Sequence, residues 1–419
     1  MPIIRLDESV ANAWCGAFAF SSKRPFFDDG AVAFLQEVSR VLLRDVRARQ
    51  YPDLVAFAYF CRRANLHALA QHYSDAARRY GWGTVVHIAP SNIPINFAFS
   101  LVFGLLAGNS NIVRMPSREF PQNELWVELF DRIAAAPEFK SIAAGTMLVR
   151  SERGSDALET LIAAADGLVV WGGDATVHAF RALPKKPRCV ELYFPDRASS
   201  AVVDAASYLA LSESSRQRLA HDFYNDTYLV DQNACSSPSI VFWIGPRDSV
   251  SAAKRAFWQA LDDELKRQGY QLDPATRIDK CLDLMATTRD LGHSAHLTQY
   301  SADIWCLEDQ TSAVGGTPLR FGQFVEIELP AIDRIGSFLR AREQTLTYFG
   351  IAPRDLLRAL NEAHGHTVDR IVPIGKALDL NPFWDGKDVL AQLSRRINLV
   401  ELSRDALNRG QSAQAPVHA

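Results

Sequence analysis

Gly81-Trp82-Gly83-Thr84-Val85-Val86-His87-Ile88-Ala89-Pro90-Ser91-Asn92-Ile93-Pro94 is where the texture of the chain changes. Residues 84–88 form a short β-rich run without polar alternation, as expected of a strand covered on both faces. The chain then turns through Pro90 and Ser91, and Pro94 opens a helical stretch to residue 107. The same order recurs downstream: a strand at 112–114 and a helix at 124–135, then 146–149 and 156–164, then strands at 168–171 and 189–194. Strand–helix alternation with short connections predicts an α/β fold built on a doubly wound, mostly parallel sheet. Ligands in such sheets bind beyond the carboxyl ends of the strands.

Before Gly81 the chain reads as helical. Leu35, Val38, Leu42 and Val46 follow a capping candidate at Asp28 or Asp29, and Pro52 opens a second helical stretch toward residue 80. After about residue 205 a second α/β unit is expected, with strands near 239–244, 304–307 and 325–329. The division predicted is 1–80, 81–204, 205–385 and 386–419, and the small, polar stretch 410–419 reads as disordered.

Of the 419 residues, 48% are hydrophobic, enough for a substantial core. The formal net charge of −3 gives no basic face or tail for nucleic acid. The first residues lack a signal-peptide pattern, and the apolar run 97–108 is shorter than the ~20 residues of a membrane span. Cys15, Cys61, Cys189, Cys235, Cys281 and Cys306 show no zinc spacing, so no metal is expected. Scattered, unpaired cysteines fit a reducing, cytoplasmic compartment.

Four constellations could carry chemistry, each with a plainer alternative. In Ala89-Pro90-Ser91-Asn92, the Asn92 amide stands at a strand end where it could donate to an oxyanion; alternatively Ser91 or Asn92 is a helix cap. Arg114 and Ser117 follow the next strand, where a guanidinium suits a ribose 2′-phosphate, or they belong to a solvated loop. Gly172-Gly173-Asp174 lets backbone approach a phosphate closely, or it is an ordinary turn. Cys235 sits in Gln232-Asn233-Ala234-Cys235-Ser236-Ser237-Pro238. These small, polar surroundings give a thiol access and donors, which makes it the best nucleophile candidate among the cysteines.

Taken in order, these segments resemble the aldehyde dehydrogenase superfamily. They look most like its acyl-CoA reductase branch, the Lux-type fatty-acid reductase subunit of bacterial bioluminescence. The resemblance runs from about Gly81 to Arg396. Besides the stretches above it is carried by Gly104-Leu105-Leu106-Ala107-Gly108-Asn109-Ser110-Asn111, Phe194-Pro195-Asp196-Arg197, Tyr224-Asn225-Asp226, Arg370-Ile371-Val372-Pro373-Ile374-Gly375 and Trp384-Asp385-Gly386.

The resemblance implies a helical N-terminal layer (1–80), a Rossmann-like nicotinamide domain (81–204), a catalytic domain with a nucleophilic cysteine (205–385) and a C-terminal segment (386–419). It casts Cys235 as nucleophile and Asn92 as oxyanion donor. Ala89, Pro90, Ser91, Arg114, Ser117, Gly172, Gly173 and Asp174 become the cofactor contacts. An arginine at 114 with no carboxylate nearby favours NADPH, with NADH as the other cofactor. Glu191 opens Glu191-Leu192-Tyr193-Phe194, where the superfamily carries its general base ahead of glycines. Those glycines are replaced here, and a reductase needs no activated water, so Glu191 is either a third catalytic residue or a sheet-end carboxylate pairing locally. Leu319, two residues before Phe321-Gly322, lacks the ribose-binding carboxylate often found there.

The implied reaction is reduction of a fatty acyl-CoA to its aldehyde through a Cys235 thioester. Rival readings are an acyltransferase or thioesterase using Cys235 with His221 as base, reduction of an acyl phosphate, and a non-catalytic acyl-shuttling subunit. An acyl-activating partner enzyme and a homo-oligomer are further implications.

Overall fold

The computed structural model describes residues 3–18, 24–152, 154–291, 296–308, 319–363 and 366–400; the tail expected to be disordered lies outside them. Among the described residues, two large sheets carry the fold. The first has the strand order Ile4–Arg5, Thr146–Arg150, Ser110–Arg114, Thr84–Ile88, Gly167–Trp171, Val190–Phe194, all parallel. From the central strand Thr84–Ile88 the chain builds outward to one side, then crosses back to Gly167–Trp171 on the other. That reversal opens a crevice at the carboxyl ends of these two strands.

The second sheet runs His296–Gln299, Trp305–Glu308, Gln323–Leu329, Ile240–Ile244, Ala198–Asp204, Glu343–Phe349, Arg370–Pro373. Only the first of these pairs antiparallel. It begins at Ala198, earlier than the boundary expected at 204. The strands Ala198–Asp204, Glu343–Phe349 and Arg370–Pro373 escaped the sequence reading.

Helices cover both faces of each sheet. The helix Asp29–Arg44 starts at Asp28, whose carboxylate accepts from the Ala31 N–H at 3.0 Å. Its Phe34, Leu35, Val38 and Leu42 pack with Phe97, Leu101, Trp126 and Phe130 over one face of the first sheet. Val46 falls beyond the helix and is exposed. The stretch read as one helix after Pro52 is two, Pro52–Phe60 and Arg63–Gln71. Among the described residues no helix is long and apolar enough to cross a membrane.

The end of the described chain ties the two halves together. Phe383–Trp384 and Lys387–Asp388 form a hairpin around Asp385-Gly386, so the boundary expected after residue 385 falls inside it. Both turn residues have positive φ, 49° and 68°, as a two-residue hairpin turn demands. Ser394–Arg396 then pairs with Arg79–Gly81 beside the first sheet.

Candidate functional site

A cleft of about 280 Å³ opens at the crossover of the first sheet. One wall follows the strand Thr84–Ile88 through Ala89, Pro90, Ser91 and Asn92, the other is Trp171, Gly172, Gly173 and Thr176, and Arg114 lines it as well. Local rules explain the walls. The 89–94 loop ends at Ile95, a β-branched residue held at φ 59°, a conformation such residues avoid. Asn123 holds it there by accepting the Ile95 N–H at 3.0 Å. The helix Asp174–Ala182 starts from Gly173, which has no side chain to cap it; the Asp196 carboxylate takes the Asp174 N–H at 3.1 Å instead.

The structure brings most of the expected cofactor residues to this cleft. Ser117 joins it through Ser91, hydroxyl to hydroxyl at 3.0 Å. Arg114 is buried, and its Nε and Nη2 donate to the Ser151 carbonyl at 3.2 and 2.9 Å. Asp174 is placed differently. Its carboxylate accepts from the Asp196 N–H at 3.2 Å while its own N–H donates to the Asp196 carboxylate at 3.1 Å, a reciprocal clasp that closes the turn. Asp174 is not a lining residue. Thr176 is one that sequence reading missed, though its place one helical turn beyond Gly172 could have suggested it.

In its chemistry the cleft fits a dinucleotide: glycines, hydroxyls, a guanidinium and a helix start. Trp171 forms an aromatic floor, stacked on Phe194 at 3.9 Å between ring centres. Its indole N–H donates to Ser100 Oγ at 3.0 Å, and that hydroxyl meets His87 Nδ1 at 2.7 Å. His87 is fully buried, and burial drives its pKa down to about 4. A neutral ring is therefore built into the support of the floor.

Cys235 comes from the second sheet, at the amino end of Ile240–Ile244 rather than at a carboxyl end. Its loop departs from the helix Glu213–Thr227 through Asp231 and Gln232, both at positive φ (51° and 55°). Gln232 is the clamp. Its Nε2 donates to the carbonyls of Pro238 and Gln323 at 3.0 and 3.1 Å, and its Oε1 accepts from the Gly322 N–H at 2.7 Å. A turn closed by the Ser237 N–H on the Ala234 carbonyl at 2.9 Å then presents the cysteine. Ser199 Oγ holds the Cys235 carbonyl at 2.7 Å. Across the cleft, Asn92 Nδ2 reaches toward the Asn233 carbonyl at 3.5 Å, so the asparagine and cysteine loops meet.

The thiol is half-buried. Burial and the Asp385 carboxyl push its pKa up to about 11, while Gln344 and Trp384 pull it down. Gln344, on the strand Glu343–Phe349, donates from Nε2 to Cys235 Sγ at 3.4 Å and to Asp385 Oδ1 at 2.5 Å. Its Oε1 accepts from Thr345 Oγ1 at 3.2 Å, which fixes which way the amide faces.

Two residues considered for chemistry lie elsewhere, as does Leu319, noted for its missing carboxylate. Glu191 pairs with Leu168, three positions before the strand end where Phe194 pairs with Trp171, or about 10 Å back along the strand. Side chains alternate along a strand, so Glu191 shares a face with Tyr193, opposite Phe194 and the floor. Its carboxylate accepts from Tyr193 Oη and lies 3.4 Å from Lys185 Nζ. His221 faces Glu264 at 2.8 Å on the packed pair of helices 213–227 and 247–268. Leu319 is core, and Phe321-Gly322 after it braces the cysteine loop.

The acyl-CoA reductase (LuxC) family matches residues 49–288, more than half of the chain. The chain belongs to that family. Two long-chain acyl-protein thioester reductases, from Aliivibrio fischeri and Vibrio harveyi, are each 28% identical to this LuxC-family chain. The likeness runs over 167 and 176 residues, 39% and 41% of this chain. It spans about a third of those relatives' own length, 32% and 34%. In fold the chain is similar to aldehyde dehydrogenases. It matches a single-residue mutant of 1-pyrroline-5-carboxylate dehydrogenase from Thermus thermophilus at TM-score 0.67 and 14% identity, over 93% of this chain and 85% of that one. A Thermus structure of that enzyme with bound NAD matches at TM-score 0.67 and 13% identity, over the same shares. Bifunctional proline utilization A matches at 0.66 and 16%, over 94% of this chain and 45% of that one. The acyl-CoA reductase (LuxC) family and the aldehyde-dehydrogenase-like fold thus agree with the resemblance carried by the sequence motifs.

Proposed function

We propose that this protein reduces a long-chain fatty acyl thioester to the aldehyde, using NADPH and a covalent Cys235 intermediate. The observation that carries the reading is the meeting of Asn92 with the Cys235 loop at the mouth of the glycine-walled cleft. Cys235 takes the acyl group, releasing CoA. When bound, the reduced nicotinamide supplies hydride to the acyl carbon. Asn92 Nδ2 and the Cys235 N–H hold the resulting oxyanion until it collapses to aldehyde and thiolate. Gly172, Gly173 and Thr176 would border the pyrophosphate of the bound cofactor, while Arg114, Ser91 and Ser117 would hold its adenosine ribose and 2′-phosphate.

The relatives' names point to an acyl-protein donor, so an acyl group carried on a partner enzyme is the second substrate form. The domain division, a homo-oligomeric state and a cytoplasmic location belong to the same reading. The placement of His221 and Glu191 away from the thiol argues against hydrolytic use of the acyl-enzyme. The test is NADPH oxidation with acyl-CoAs of graded length, alongside radiolabelled acyl transfer to protein. Cys235→Ala should lose both signals, and reduction persisting in that variant overturns the covalent scheme. Labelling of the native protein without oxidation would replace reduction by acyl transfer.

A further inference from the structure

The turn of the 383–388 hairpin is unusual in one respect. Asp-Gly turns ordinarily point their aspartate at solvent, yet Asp385 is only 9% exposed. Oδ1 accepts from the Gln344 amide that also donates to Cys235, while Oδ2 is buried with no hydrogen-bond partner among the described residues. A buried, unpaired carboxyl oxygen is costly and calls for a reason. The turn itself supplies none, since its φ of 49° suits asparagine as well as aspartate. Among the described residues the nearby cations bond to other acceptors: Arg197 to Asp369 and the Glu343 carbonyl, its Nε left without a partner, and Lys387 Nζ to the Tyr193 carbonyl at 3.1 Å.

We propose that Asp385, carried into the site by this hairpin and aligned by Gln344, is the proton acceptor for the Cys235 thiol during acylation. This rests on the reductase reading above and adds a residue to it. As Cys235 Sγ bonds to the acyl carbon, the thiol proton passes to the Asp385 carboxylate. As the bond from that carbon to the CoA sulfur breaks, the same proton moves to the departing sulfur. The products are acyl-Cys235, CoA thiol and the regenerated carboxylate, with no change in oxidation state. Burial raises the Asp385 carboxyl above its ordinary range, which strengthens it as a base. The charged groups around the pair are Arg197, Lys387 and Asp369 about the carboxyl and Arg370 about the thiol.

The test compares two reactions of Cys235 without nicotinamide: acylation by a labelled long-chain acyl-CoA and alkylation by iodoacetamide. Iodide leaves without a proton, whereas the CoA sulfur needs one. Asp385→Asn should slow acylation by about 10²-fold, the lower range for a lost acid–base group. It should not slow alkylation, because removing the neighbouring charge favours the thiolate. Asp385→Glu should recover part of the acylation rate. Unchanged acylation in Asp385→Asn overturns the proposal, and so does an equal fall in both reactions, which would reduce Asp385 to a prop for the loop. On the native protein, acylation should level off with rising pH before the thiol's own range; a rate that climbs with thiolate into that range also overturns it. This native-protein readout stands even if the variant fails to fold. Failure of the reductase reading itself is seen separately, as acyl labelling of the native protein without NADPH oxidation.

Discussion

The two sheets meet at one site but reach it from opposite ends. The first offers the carboxyl ends of its strands, with glycine turns, a helix start and backbone amides. The second offers amino ends, with buried polar side chains, Ser199 and Gln344, bonded to the Cys235 loop. In the proposed reaction the first sheet would hold its ligand largely through backbone, and the second would prepare the reacting atom through side chains. The general rule for ligands in α/β sheets covers only the first case. The second follows from placing the two sheets end to end, so that strand starts face the crevice.

This contrast can be broken or sharpened by variants on each side. Asn92→Ala, at the seam, should lower kcat by ~10²–10³, as expected for a lost oxyanion donor, while acyl labelling of Cys235 persists. A kcat within about threefold of native would remove Asn92 from the chemistry. On the second-sheet side, a thiol raised to about 11 carries roughly a hundredfold less thiolate at neutral pH than an ordinary cysteine. Iodoacetamide should therefore modify Cys235 slowly, and faster with each rise in pH up to that value; half-maximal reactivity below about pH 9, near the ordinary thiol range, would contradict the burial argument. On the first-sheet side, a Cβ at Gly173 would lie 2.8 Å from Asp196 Oδ2. Gly173→Ala should displace the Asp174–Asp196 clasp and raise KM for the nicotinamide by about tenfold, leaving acyl labelling intact. If labelling falls instead, the two ends are not separable. The smallest effect is expected of His221→Ala. With its ring on Glu264, acylation and reduction rates should stay within about twofold, and a large loss would revive a histidine base.

The first sheet was legible because each of its parts is contiguous: an apolar run, a turn signal and a helix within about thirty residues. Thr84–Ile88 and Asp156–Ala164 coincide with the expected bounds. The second sheet hides itself. Ala198–Asp204 is rich in alanine and serine, and Glu343–Phe349 opens Glu-Gln-Thr with these polar side chains buried. Ser200 Oγ donates to Glu343 Oε2 at 2.9 Å, a polar bond between neighbouring strands inside the core. No hydrophobic pattern announces such strands, because the polar residues that serve the site occupy core positions. Asn123, Ser199 and Gln344 are invisible for a related reason: each acts on a loop far away in the chain.

Asp385 shows a subtler limit. Asp-Gly is a strong turn signal and was part of the resemblance, yet turn chemistry fixes only the backbone. Whether the carboxyl faces water or the thiol depends on Gln344, 41 residues earlier. Glu191 is the converse, a motif position whose strand register carries it away from the cleft.

The aromatic floor has a use beyond packing. Trp171 and Trp384 face each other at 6.4 Å between ring centres, one on the cleft wall and the other beside the thiol. Two of the chain's eight tryptophans thus stand at the junction of the two sheets. A variant that keeps only these two indoles would carry an optical probe there, sensitive to whatever enters the crevice.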